Sequence, residues 1–362
     1  MTKGGSKPGA AKPCASATSS RDKKTTRGRS EATGPGLETD VSQKCLDIFC
    51  DALKPSQEDS RTLQEVKGHL YRRDFATAFG QVDYLRVYAS RWSPSRALAY
   101  AQIFDELPAG VVARSKSGCL ATGSKTDLNV VCFGGGAGAE LIALAAVLNT
   151  HRDDVPSAMD PGTHVALIDI ANWGEIVKKL YTGIVNPPRL SPCASQAKKD
   201  TNKALLNTEV LSMSFKQMDV LLDEADSLRR SVQDAGLVTF MFTLNELYST
   251  SLPKTQRLLS NTLRSMPIGS HLLVVDSPGS YSTVALNGAE KKYPMQWLLK
   301  YTMLERSGEV IKGAPAAWTQ ILSEDSRWFR LPTGLRYPIE LEDMRYQIHL
   351  FRREASDVGV AA

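Results

Sequence analysis

The densest chemistry in the chain lies in Val130-Val131-Cys132-Phe133-Gly134-Gly135-Gly136-Ala137-Gly138-Ala139-Glu140, where an apolar run meets four glycines within five residues and an apolar helical pattern follows. Glycines open backbone angles closed to other residues and remove the Cβ atoms that would keep a ligand off the main chain. A helix N-terminus just beyond presents free N–H groups and partial positive charge to a nucleotide-type ligand. A tight turn with no ligand would use the same residues. Two acids sharpen the choice: Asp169 ends Val165-Ala166-Leu167-Ile168-Asp169, and Asp219 ends Ser214-Phe215-Lys216-Gln217-Met218-Asp219.

A dinucleotide fingerprint asks for G-x-G-x-x-G/A and an acid ~20 residues further on. Gly134-x-Gly136-x-x-Ala139 meets the first half, and Asp169 stands 35 positions after Gly134, a delay that the segment 151–162 absorbs. Glycine loop, acid after the second strand, acid after the third is also the order of class I methyltransferases. There the first carboxylate takes the ribose hydroxyls and the second lies near the adenine amino group. Either aspartate alone serves equally as a helix N-cap. Together, in this order, they favour S-adenosylmethionine, held by Gly134, Gly136, Gly138, Asp169 and Asp219. Trp173 could cover the adenine, although packing beneath a helix is the commoner use of such a residue.

These residues need a scaffold that brings strand ends together. Apolar strands are expected at Leu128–Phe133, His164–Ile168, Phe215–Val220, Val238–Phe242, His271–Val275 and Met344–Phe351. Helical patterns lie between them at Ala139–Leu148, Trp173–Tyr181, Val220–Ala235 and Lys254–Ser265. Strands separated by helices imply right-handed crossovers and a doubly wound, mostly parallel α/β sheet. The last strand has no clear helix before it and is free to pair antiparallel. Upstream, Leu63, Val66 and Leu70, then Leu85, Tyr88 and Trp92, repeat at helical spacing. Ser93-Pro94 supplies an N-cap and a proline at the first helical position, opening a helix to about Leu107. Arg72, Arg73, Arg86, Arg91 and Arg96 read as the wet face of that bundle, or as a track for phosphates. Residues 186–208 form an inserted loop. The expected division is a disordered basic tail at 1–40, a helical region at 41–120, the Rossmann-like domain at 121–353 and a C-terminal tail at 354–362.

Tyr88-Ala89-Ser90-Arg91-Trp92-Ser93-Pro94-Ser95-Arg96, Cys132 to Glu140, Thr243-Leu244-Asn245-Glu246-Leu247-Tyr248, Asp276-Ser277-Pro278-Gly279-Ser280 and Met344-Arg345-Tyr346-Gln347-Ile348-His349-Leu350 together resemble the fungal large-subunit ribosomal RNA uridine-N3 methyltransferases. The likeness spans about 60–352 and implies methyl transfer to N3 of a uridine in 25S rRNA. The acid usual two residues before the first glycine is absent; Cys132 stands there, and Glu140 could substitute.

The implied acceptor is an imide nitrogen whose proton must be removed or polarised. Asn245 is the candidate to orient the uracil edge, Glu246 the candidate general base, and Tyr248 the candidate to stack on an extruded base. Asn245 and Glu246 serve equally as N-cap and first-turn acid of the next helix. Asp276 is a second candidate base; Ser277-Pro278-Gly279 after it suits a plain turn. Two other classes stay open: an assembly factor that keeps the fold without catalysis, and a nicotinamide-dependent oxidoreductase.

Composition sets the partners. The 362 residues are 42% hydrophobic and 23% charged with a net charge of +5, as in a soluble globular protein, and no apolar stretch suggests a membrane span. Six cysteines without a C-x-x-C pair and five scattered histidines predict no metal site. Residues 1–30 carry +7 and the remainder −2. That tail is a solvated extension, a polyanion-binding arm or a nuclear address; a transit peptide fits less well because Lys predominates over Arg. Ribosomal RNA or a pre-ribosomal particle is the expected partner of a monomer in the nucleus or nucleolus, with the cytoplasm as a second location.

Overall fold

Along the strand Leu128–Phe133 (β1), Val130 and Cys132 enter one hydrophobic core, while Val131 and Phe133 enter another. A strand buried on both faces needs helices on both, which is the doubly wound arrangement. The computed structural model of the protein describes residues 37–112, 127–151, 162–222, 225–279, 281–286, 289–305 and 316–355. Most of the expected tail at 1–40 therefore lies outside the described residues, as do residues 113–126 and 356–362.

In chain order the helices are Thr39–Leu53 (α1), Ser60–Tyr71 (α2), Phe75–Ala78 (α3), Val82–Asp105 (α4), Ala139–Thr150 (α5), Gly174–Val185 (α6), Gln196–Asp200 (α7), Ala225–Val232 (α8), Leu244–Thr250 (α9), Leu252–Ser265 (α10) and Met295–Lys300 (α11). The further strands are Thr163–Asp169 (β2), Leu211–Gln217 (β3), Leu237–Met241 (β4), His271–Asp276 (β5), Tyr281–Leu286 (β6), Ala289–Pro294 (β7), Ala316–Phe329 (β8) and Met344–Ala355 (β9). Seven form one sheet in the order β3-β2-β1-β4-β5-β9-β8, and β6 pairs with β7 in a separate hairpin. The first five run parallel; β9 pairs antiparallel with both β5 and β8. Chain order reverses between β1 and β4. The crevice above that switch point, at the carboxyl ends of the strands, is where such sheets bind ligands.

Several local expectations are corrected. The third strand is Leu211–Gln217, with Leu211, Met213 and Phe215 alternating against polar neighbours. Asp219 thus lies in the turn beyond it, and the helix that follows spans only Ala225–Val232. Ser93-Pro94 does not open a helix, because α4 runs unbroken through it. A mid-helix proline leaves the carbonyl four residues back without its donor. That carbonyl belongs to Ser90, and the Tyr337 hydroxyl donates to it at 3.2 Å. Helices α1–α4 lie within the compact unit Leu37–Ala362, and α1, α4, α5 and α6 share a core on one face of the sheet.

Candidate cofactor and acceptor site

Two left-handed glycines shape the loop after β1. Gly134 (φ +76°) turns the chain out of the strand, and Gly138 (φ +81°) turns it into α5. Neighbours pin the loop on both sides. Gly134 N–H donates to the Ile168 carbonyl of β2 at 2.8 Å, and Ser93 Oγ of α4 donates to the Ala137 carbonyl at 2.8 Å.

Asp169, the last residue of β2, reaches the same loop. Its Oδ2 accepts from Gly136 N–H at 3.1 Å and its Oδ1 from Ala171 N–H at 3.0 Å. Burial raises its pKa, and those N–H groups oppose the shift. On the neighbouring parallel strand, Met218 N–H donates to the Asp169 carbonyl at 2.8 Å, and Asp219 follows. The two expected carboxylates thus emerge at the same edge of adjacent strands. Asp219 Oδ1 accepts from Leu221 N–H at 2.9 Å, closing its own turn.

The hollow above Gly136 is filled by the protein itself. A Cβ there would lie 2.0 Å from Trp173 Cδ1. Trp173 is 2% exposed and packs against Tyr88 and Phe79, so it is a buried wall of the loop and not a cover for adenine.

Glu140 opens α5 and is 3% exposed, with Oε1 lacking a hydrogen-bond partner. Burial pushes its carboxyl up to about 8; Arg96 opposes the shift and Asp169 adds to it. An ionisable acceptor left dry and unpaired is costly unless a cation or donor arrives. The ammonium of the methionine moiety is such a donor, and Asp169 offers acceptors for vicinal hydroxyls, so the residues present fit S-adenosylmethionine. Cys132 is fully buried, with its thiol held protonated by burial.

On the acceptor side, Asn245 and Glu246 lie in the first turn of α9, just beyond β4, and Asp276 at the end of β5 caps that helix. Its Oδ2 accepts from Asn245 N–H at 2.9 Å and its Oδ1 from Ser277 N–H at 2.7 Å. That capping removes Asp276 as the free base, even though burial raises its carboxyl to about 6. Glu246 is half-buried, 3.9 Å from the Arg73 guanidinium, and Asn245 Oδ1 has no hydrogen-bond partner. Tyr248 does not join them. It is 2% exposed within the core beneath α9, out of reach of any base.

Two residues outside the expected set stand out. Phe242, between β4 and α9, has φ +56°, a strained angle for a bulky side chain and one that concentrates at functional sites. Arg96, read from sequence as part of a wet face, lies 5.0 Å over the Phe242 ring and donates to Tyr88 Oη at 2.9 Å. Arg91, from the same expected face, is 9% exposed and ion-paired with Glu342. The signal was available: the small apolar run Ala97–Ala101 marks α4 as buried, and buried cations are found paired.

Among the described residues no cluster could hold a metal ion, and no helix is long and apolar enough to cross a membrane. The chain is 30% identical over 332 residues, 85% of each protein, to the 25S rRNA (uridine(2843)-N(3))-methyltransferase of Saccharomyces cerevisiae. Among solved structures, an O-methyltransferase family protein from Burkholderia thailandensis is 12% identical over 86% of this chain and 73% of its own, with a TM-score of 0.39. A SAM-dependent methyltransferase from Methanosarcina mazei is 11% identical over 64% and 94%, with a TM-score of 0.35. A family model described as "Putative SAM-dependent methyltransferase" matches residues 49–352, from the end of α1 into β9. The chain belongs to this family of S-adenosylmethionine-dependent methyltransferases.

Proposed function

We propose that the chain methylates N3 of a uridine in large-subunit ribosomal RNA. The observation that carries this reading is 30% identity across 85% of both chains to an rRNA uridine-N3 methyltransferase. A glycine loop with Asp169 bound to it at the switch point supports it.

S-adenosylmethionine, when bound, supplies an electrophilic methyl on a sulfonium sulfur. Gly134, Gly136 and Gly138 keep the loop close and turned; Asp169 takes the ribose hydroxyls and Asp219 the adenine side. Glu140 accepts from the ammonium end, the role left open by Cys132. Asn245 orients the uracil edge, and Glu246 removes the imide proton, its carboxylate half-buried at the mouth of the crevice.

The same reading makes the protein a monomer acting on rRNA or a pre-ribosomal particle in the nucleus or nucleolus, and secondarily in the cytoplasm. The +7 charge of residues 1–30 supports contact with RNA or an import receptor. The test is transfer of radiolabelled methyl from the cofactor to rRNA, followed by nucleoside analysis. Label in 3-methyluridine is expected. No transfer to any rRNA would return the protein to the class of silent assembly factors.

A further inference from the structure

Three segments far apart in the chain line one cavity of about 210 Å³: Trp92, Ser95 and Arg96 of α4, Phe242 after β4, and Glu342–Arg345 leading into β9. It lies at the carboxyl end of the sheet, since Met344 stands beyond Gln347, the partner of Asp276 at the end of β5. It also borders the glycine loop. Thr243, next to Phe242, fills the space over Gly134, and Ser93 of α4 holds the Ala137 carbonyl. The far wall is clamped: Glu342 N–H donates to Ser95 Oγ at 3.1 Å, and Arg91 donates to the Glu340 carbonyl at 3.1 Å as well as pairing with Glu342.

Trp92 and Phe242 line the cavity with three arginines and two carboxylates: Arg91 pairs with Glu342, Asp343 with Arg330, and Arg345 donates to Ser326 Oγ, while Arg96, over the Phe242 ring, suits a flat ring that presents an oxygen acceptor. A guanidinium offers only donors, so an edge carrying carbonyl oxygens is accepted and an edge carrying an amino group is refused. Loss of the proton from an imide nitrogen spreads negative charge over its two flanking carbonyls. A fixed cation in a site shielded from water stabilises that charge as it develops.

We propose that this cavity receives the extruded uracil and that Arg96 is a catalytic residue, stabilising the imidate formed at N3; this rests on the uridine-N3 reading above. The N3–H bond breaks with its electron pair left on nitrogen and its proton passing to Glu246. That pair then forms the N3–CH₃ bond as the S–CH₃ bond breaks, its electrons staying on sulfur. Uridine is preferred over cytidine because the amino group of cytosine would face the donors of Arg96.

The experiment uses the full chain and an rRNA fragment carrying either uridine or the more acidic 5-fluorouridine at the target. Arg96→Gln should lower kcat about 100-fold or more. KM for RNA should stay within about threefold, and the rising limb of the pH–rate profile should move to higher pH. The fluorinated substrate should recover about tenfold or more of the loss, because its imide needs less help to ionise. Arg96→Lys, which keeps the charge, should fall between and serves if the glutamine variant does not fold. Equal losses on both substrates, or an unmoved pH limb, would overturn the inference. No transfer by the wild-type protein would overturn the uridine reading itself, and this inference with it.

Discussion

The indole of Trp173 occupies the space that a side chain on Gly136 would need, with Cδ1 only 2.0 Å from the position of a Cβ. The middle glycine of the loop is thus demanded by packing at the start of α6, while Gly134 and Gly138 are demanded by backbone angle as well as by the nearness of Thr243 and Leu180. Gly136→Ala should destabilise the protein by about 1–3 kcal/mol through overpacking. Trp173→Leu should return part of that loss in the double variant. Urea denaturation of the four-member cycle checks it, with a coupling of at least ~1 kcal/mol expected between residues in contact. Additive effects would show that the indole does not constrain the loop.

Asp169 both fastens the loop and faces the crevice, so its two roles can be separated. Asp169→Asn keeps a carbonyl acceptor for one of the two N–H groups but removes the charge. It should weaken binding of S-adenosylhomocysteine about tenfold or more, the scale of a hydrogen bond to a charged acceptor, while still folding cooperatively. Asp169→Ala should lose as much affinity and more stability. Unchanged affinity in a calorimetric titration would remove Asp169 from the cofactor site.

The elements nearest the switch point were the most legible ones. The first strand, the glycine loop and the start of α5 at Ala139 fall where the pattern places them, because a two-face-buried strand followed by glycines has few other solutions. The long edge strand β8 was illegible. Its Gln320, Ser323, Glu324, Asp325 and Ser326 break any alternation, and bulges at Gln320/Leu322 and Glu324/Arg327 shift the register. Tyr248 misled because it sits beside an amide and a carboxylate. Its spacing from Leu244 is that of one buried helix face, and both side chains are in the core. Asp276 seemed free from sequence alone, because nothing local reveals that a strand-end acid will cap a helix from the neighbouring strand's connection.

Pro94 supplies a test of how α4 tolerates a break. The Tyr337 hydroxyl donates to the Ser90 carbonyl, the one that lacks its helical donor because residue 94 is proline. Tyr337→Phe should cost about 1 kcal/mol in the wild-type background. In a Pro94→Ala background residue 94 regains its N–H, and the same substitution should cost little. Thermal or urea midpoints of the four proteins settle it. An equal cost in both backgrounds would mean that the hydroxyl is not compensating for the proline.

Glu140 links the cofactor site to pH. Its carboxyl is raised from 4.5 to about 8 by burial, so between those values the folded protein keeps a proton that the unfolded chain has shed. The group's contribution to stability is complete below pH 4.5 and is lost as pH rises through about 8. Glu140→Gln should therefore match the wild type near pH 4 and exceed it above pH 8, by on the order of 2–4 kcal/mol. Ligand binding should run the other way. An ammonium beside Glu140 favours the carboxylate, so S-adenosylhomocysteine should expel a proton when it binds near pH 7 and bind more tightly as pH approaches 8. The glutamine variant should lose both the proton release and that pH dependence. Calorimetry in buffers of different ionisation enthalpy measures the protons released. Equal release by the two proteins would place the ammonium elsewhere and leave the unpartnered oxygen of Glu140 without a role in binding.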